Sequence, residues 1–242
     1  MTKTLTLITK NFVNLLYPLH CATCKTPLEA LNNTGVCHFC DSQIKKNPKP
    51  NCTLCGRSMQ SSGELCAECK RSGFSFDRAW SACLYEGVLK DLIHLFKYKG
   101  KLALSGILSE KLVAFIKDNM EVVDGVDYVT FVPVYNGWLN DREYNQSGIL
   151  AAAISAEFRV PILKAAEKTF RTRRQNELSR DERLTNLNGA FKVRDDLRVE
   201  GLKLLLVDDV MTTGATLNEC AKALKAAGAK EVRCLTLARG IQ

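Results

Sequence analysis

The chain has 242 residues, room for one α/β domain of ordinary size and a small accessory module. Apolar residues make up 46% and charged residues 25%, as in a soluble globular protein, and no apolar run is long enough to span a bilayer. The formal net charge of +8 favours anionic partners, phosphates or nucleic acid, without separating the two.

At the N-terminus, Met1–Tyr17 carries a short apolar stretch but no signal-peptide core or small-residue cleavage site. It is expected to form a short amphipathic helix, so that residues 1–18 are a lead-in. The next segment, residues 19–74, holds eight of the eleven cysteines in four C-x-x-C pairs. These are Cys21 with Cys24, Cys37 with Cys40, Cys52 with Cys55, and Cys66 with Cys69. The polar, Pro-bearing stretch Lys45–Pro50 separates two similar units, a short internal duplication. Each C-x-x-C presents two thiolates from one knuckle, and two knuckles close a tetrahedral zinc site with no open position. Such a site is structural and replaces a core that segments this short cannot build. Without a secretory signal, metal ligation is expected over disulfides, and a reducing cytoplasm is the expected compartment. Sequential pairing within each unit is the simplest arrangement, with crossed pairing open. His20 and His38 stand beside the knuckles as bystanders.

After about residue 75 the composition changes to alternating strands and amphipathic helices. A strand is predicted over Phe76–Tyr85. Leu89, Leu92, Ile93 and Phe96 have helical spacing within Val88–Tyr98, and a second helix is expected over Leu102–Ile116. Lys97 and Lys99, near the first helix end, read as phosphate contacts or as a solvated face, the latter expected. Then come a strand at Tyr128–Val134, a helix at Ser147–Phe158 and a short strand at Val160–Leu163. Lys164–Asn188, rich in Arg, Lys, Gln, Asn and Glu, reads as a mobile, solvated excursion. Leu204–Val207 is a buried strand, Ala215–Ala227 a helix stopped at Gly228, and Glu231–Leu237 the last strand. The alternation predicts a mainly parallel sheet flanked by helices, over residues 75–242.

The segment from Leu204 to Thr216 carries the most specific chemistry. A parallel strand delivers Asp208 and Asp209 to its C-terminal end, where ligands bind in open α/β sheets. Two carboxylates there need hydroxyls, a cation or donors, and a ribose diol supplies hydroxyls. Thr212, Thr213 and Thr216 offer further hydroxyls, and Gly214 allows close backbone approach at the start of a helix. Acids for a sugar beside amides for a phosphate match a sugar phosphate. The plain alternative is a turn followed by a helix cap.

This segment resembles the phosphoribosyl-pyrophosphate (PRPP) motif of type I phosphoribosyltransferases. Together with the cysteine pairs the chain resembles the ComF family of competence-related proteins. The shared segments include Tyr85-Glu86-Gly87, Leu92-Ile93-His94, Lys97-Tyr98-Lys99-Gly100, Val132-Pro133-Val134 and Tyr144-Asn145-Gln146. They continue through Gln175…Leu178-Ser179…Glu182-Arg183…Asn186, Gly189-Ala190-Phe191 and Ala226-Ala227-Gly228-Ala229. The resemblance implies a type I phosphoribosyltransferase-like α/β domain preceded by a double zinc ribbon with two structural Zn²⁺. It implies that Asp208 and Asp209 are catalytic and face the ribose hydroxyls. Met211, Thr212, Thr213, Gly214, Ala215 and Thr216 would wrap the 5-phosphate. The loop at Pro133–Asn136, with Pro133, Val134 and Tyr135, would bind pyrophosphate, and Mg²⁺ would bridge the diol and the pyrophosphate. A basic loop at Lys168–Arg183 would close over it, with Lys168, Arg171, Arg173 and Arg174 facing the leaving group.

Two function classes follow. One is a transferase moving ribosyl phosphate from Mg–PRPP to a nitrogen acceptor, nucleobase salvage included. The other is a DNA-uptake factor that holds single-stranded DNA beside a helicase-like partner and uses the PRPP site for binding alone.

Overall fold

The computed structural model describes residues 19–28, 32, 34–61, 63–71, 73–135, 144–170 and 187–240. The expected N-terminal helix, Arg171, Arg173, Arg174, Asn136 and the motif from Gln175 to Asn186 lie outside the described residues.

Two cysteine-bearing units come first, each ending in a five-residue helix, α1 (His38–Ser42) and α2 (Ala67–Arg71). The α/β part then runs β1 (Arg78–Leu84), α3 (Gly87–Tyr98), α4 (Ser105–Lys117), β2 (Tyr128–Phe131) and α5 (Gln146–Phe158). It continues with β3 (Ala166–Lys168), β4 (Phe191–Val193), β5 (Lys203–Met211), α6 (Ala215–Ala226) and β6 (Glu231–Arg239). The main sheet has the order β1–β6–β5–β2, and every neighbouring pair is parallel. Parallel neighbours need crossover connections, which is why helices cover both faces.

Strand β5 shows how the core is divided. Successive side chains of a strand alternate between faces. Leu205 and Val207 join the core built with α3, α4 and α5, whereas Leu204 and Leu206 join the core built with α6. The apolar stripe of α3 behaves as its spacing predicts, with Leu89, Leu92, Ile93 and Phe96 buried. Each such side chain contributes about 1.5–3 kcal/mol by leaving water. The first cysteine unit packs on the α3–α4 side through Cys21, Val36 and Cys40. The second shares the α6-side core through Cys52, Cys55, Cys66 and Cys69.

Several sequence expectations change in the structure. The helix expected over Leu102–Ile116 is a single turn at Leu102–Leu104 followed by α4. The strand expected to reach Val134 ends at Phe131, and that at Val160–Leu163 contracts to one parallel bridge between Val129 and Ile162. The excursion expected from Lys164 is not solvated at its start. Ala165 and Ala166 are buried, and β3 pairs antiparallel with β4. The charged side chains around them hid Ala165 and Ala166, two small buried residues, from a composition reading.

Candidate functional site

The eight paired cysteines form two clusters. Cys21, Cys24, Cys37 and Cys40 make one and Cys52, Cys55, Cys66 and Cys69 the other, with the sulfurs of each within 4.8 Å of one another. Pairing is therefore sequential within each unit. Cys24 and Cys37 sulfurs are 3.6 Å apart, and those of Cys55 and Cys66 3.8 Å. A disulfide needs about 2.05 Å. A tetrahedron with Zn–S bonds of about 2.3 Å has edges of about 3.8 Å, which these distances match. Backbone amides also donate to the sulfurs: Cys37 to Cys21 at 3.4 Å, Cys40 to Cys37 at 3.4 Å, and Cys66 to Cys52 at 3.3 Å. Such donors favour thiolates over thiols. The residues present thus fit structural zinc in both units, with neither histidine in either cluster.

The second candidate site lies at the C-terminal end of the sheet. The sequence reading ended the strand at Val207, but β5 continues through Met211, so Asp208 and Asp209 are strand residues. Both are buried. Ser147, in the first turn of α5, donates its hydroxyl to Asp208 Oδ1 at 2.8 Å, and the Asp209 amide donates to the same oxygen at 2.9 Å. Asp209 Oδ1 meets Lys97 Nζ at 2.8 Å. Burial first, and then the charge of Asp209, push the Asp208 carboxyl up to about 7 against the pull of Lys97 and Ser147. Burial disfavours the Lys97 ammonium, but the charges of Asp209 and Asp208 outweigh it and hold its pKa above the ordinary lysine value. These contacts all engage Oδ1 of the two acids.

Lys97 therefore does not sit on a solvated face, as its sequence context suggested. The last turn of α3 delivers it to the acids, and the residues that lead into and open α5 hold that turn. Tyr144 donates its hydroxyl to the Phe96 carbonyl at 2.6 Å, and Gln146 donates its side-chain amide to the Lys97 carbonyl at 3.4 Å. Asn145 caps α5, its Oδ1 accepting from the Gly148 amide at 3.0 Å, and its Nδ2 donates to the Val132 carbonyl at 3.1 Å. The Tyr144-Asn145-Gln146 segment is thus a bracket tying α3, α5 and β2 together beside the acids. Sequence reasoning missed Ser147 and the role of Lys97; only the Tyr-Asn-Gln motif pointed near them.

Past the acids, Met211 ends β5, and Thr212, Thr213 and Gly214 turn into α6. Gly214 is the N-cap with φ of 85°, and it has no side chain to cap the first-turn amides. The Ala215 amide donates to Thr213 Oγ1 at 3.3 Å. A Cβ on Gly214 would lie 2.7 Å from Met211 Cε and 3.1 Å from the Phe74 ring. Asp208 and the run from Val210 to Leu217, including Ala215 and Thr216, line a small polar depression. Pro133, Val134 and Tyr135 follow β2, the strand beside β5, and all three are partly exposed. Lys168 is not in a loop: it lies in β3, paired with Phe191 of β4, its Nζ 5.7 Å from that ring's centre.

Parallel sheet, buried acids at a strand end, glycine-capped helix and two cysteine tetrads define a phosphoribosyltransferase-type domain carrying a double zinc ribbon. Comparisons with known proteins agree. A family described as phosphoribosyl transferase domain matches residues 145–242, and one described as double zinc ribbon domain matches residues 12–72. Competence protein F of Haemophilus influenzae is 30% identical over 233 residues, covering 95% of this chain and 99% of that protein. DNA utilization protein YhgH of Escherichia coli K12 is 30% identical over 228 residues, covering 93% and 99%. Competence protein ComFC of Bacillus subtilis is 27% identical over 212 residues, covering 84% of each chain. The chain belongs to the ComF family. Among the described residues no helix is long and apolar enough to cross a membrane.

Proposed function

We propose that this protein binds Mg–PRPP at the end of β5 and acts in the handling of incoming or environmental DNA. The observation that carries the ligand is the adjacency of the buried Asp208–Asp209 pair and the glycine-capped start of α6. The acids' carboxylate oxygens suit ribose hydroxyls, and the amides and hydroxyls of Thr212–Thr216 suit a 5-phosphate. Oxygen donors suit magnesium, which would neutralise charge on the pyrophosphate. The DNA role rests on the names of the relatives, competence proteins and DNA utilization proteins.

If the bound sugar phosphate reacts, its C1–O bond breaks, pyrophosphate leaves with the electron pair, and a nitrogen lone pair forms the new C1–N bond. In that step Asp208 and Asp209 would hold the diol and favour the cationic sugar carbon. Lys97 holds Asp209 in place through their ion pair. The second reading is binding without turnover, with the ligand serving DNA uptake; the net charge of +8 suits a protein that also meets DNA.

Calorimetry with Mg–PRPP tests the ligand. Wild-type protein should bind, and Asp208→Asn with Asp209→Asn should not. Wild-type protein that shows no heat with Mg–PRPP ends the assignment. Binding of single-stranded DNA, if direct, should weaken steeply with salt and survive the double substitution.

A further inference from the structure

The two cysteine tetrads differ in burial. In the first, Cys24 is exposed and Cys37 partly so, whereas all four sulfur-bearing residues of the second are buried. Four thiolates around one Zn²⁺ leave a net negative charge. Water screens that charge at the first tetrad; the second must find a counter-charge within the protein. Arg57, two residues past Cys55, is already ion-paired with Glu68, and Lys70, next to Cys69, is exposed and faces Glu64. Among the described residues Arg239 is the buried cation at this tetrad. It is the last residue of β6, 3% exposed, and its Nη2 donates to Cys55 Sγ at 3.7 Å. Its Nε and Nη1 are buried with no hydrogen-bond partner. A guanidinium with open donors is costly in a core unless strong negative charge lies beside it.

We infer that Arg239 is the counter-cation of the second zinc–thiolate centre and a positioning residue that couples this centre to the phosphate loop. The second half follows from where Arg239 stands. It is in register with Met211, and the next amide, that of Gly240, donates to the Met211 carbonyl at 2.9 Å. Gly240 also lies so close to Thr212 that a Cβ there would be 3.0 Å from Thr212 Cγ2. The opposite side of the loop is held by the chain leaving the same tetrad. Phe74, just after Cys69, stacks on Phe76 at 4.6 Å and lies against Gly214, and the Ser75 amide donates to Asn218 Oδ1 at 2.7 Å. Between these two contacts the tetrad itself is bonded to the sheet, the Ala79 amide donating to the Leu54 carbonyl at 2.7 Å. The metal state of the second ribbon therefore sets the shape of the loop, and that of the first does not.

The test needs no sugar phosphate, so it stands apart from the PRPP assignment. Zinc transfer to a chromophoric chelator should be biphasic in the wild-type protein. In Arg239→Met one of the two zinc ions should leave about tenfold to a hundredfold faster, the range for losing an outer contact to a metal ligand. The other should leave at its wild-type rate. In cadmium-substituted protein, Arg239→Lys should move one metal NMR signal and leave its partner in place. Amide hydrogen exchange over Thr212–Leu217 should quicken in Arg239→Met. In wild-type protein it should quicken when the second zinc is removed and not when only the first is. Should Arg239→Met fail to fold, the Lys variant and the stepwise stripping of wild-type protein decide. Unchanged zinc release and unchanged cadmium signals in the Arg239 variants, or loop exchange indifferent to the second zinc, would overturn the inference.

Discussion

Lys97 Nζ lies 2.8 Å from Asp209 Oδ1, and this contact joins the last turn of α3 to the end of β5. Among the described residues the ammonium is the cation paired with the two buried acids. Removing it takes that counter-charge away. Lys97→Met should destabilise the protein by about 3 kcal/mol, read as a lower urea midpoint with unchanged slope. Adding Asp209→Asn to that variant should recover much of the loss, because the stranded charge is then gone. Two additive losses would show that the pair is not coupled.

Asp208 makes stability depend on pH in an unusual direction. Its folded pKa, about 7, lies above the unfolded carboxyl value of about 3.9. Between those values the unfolded chain has released the proton and the folded protein keeps it. Stability therefore falls as pH rises through the window, and the cost is complete above about pH 7. Asp208→Asn escapes that cost. Its advantage over the parent should grow by about 1–2 kcal/mol from about pH 5.5 to about pH 8. Denaturation curves at several pH values with a constant difference would refute this.

Gly214 holds φ of 85° between Met211 and Phe74. Gly214→Ala combines a left-handed residue with a Cβ that those side chains must move to admit. A loss of about 1–2 kcal/mol is expected, measured as a lower melting temperature. The affinity for Mg–PRPP should fall more than stability does, because the loop must open around the methyl. A variant with wild-type melting and wild-type affinity would show that the loop does not need this geometry.

The two tetrads predict about two zinc ions per chain by elemental analysis. The remaining cysteines, Cys83, Cys220 and Cys234, are buried. A thiol reagent should therefore react slowly with the native protein and rapidly once a chelator has stripped the metal. Stripping should also lower stability, since ribbon cysteines are part of both cores. Zinc-free purified protein with all thiols readily titrated would contradict the metal centres.

Much of this protein was legible from local pattern. Four C-x-x-C pairs name their own chemistry, because a knuckle is formed by neighbours in sequence. The order of strand, acids, threonines, glycine and helix between Leu204 and Ala226 is equally local, and so is the apolar stripe of α3. Where the expectations failed, the deciding contacts were distant in sequence. Lys97 looked like a surface lysine until α3 was seen to end beside β5. Lys168 looked like part of a basic loop, but its backbone pairs with Phe191 in the β3–β4 ribbon. Arg239, near the chain end, gave no signal at all.

The sequence by itself determined the zinc-ligand chemistry of the C-x-x-C knuckles, the parallel α/β class and the acidic strand end, because each follows from local pattern; which knuckles join in one centre was left to the structure. Only the tertiary structure decided which cation meets which acid, which hydroxyl reaches Asp208, and that the buried second tetrad shares its core and Arg239 with the strand beside the phosphate loop. The physical reason is that a buried charge is satisfied by whatever the fold brings within about 4 Å, and strand order, not sequence separation, sets that neighbourhood.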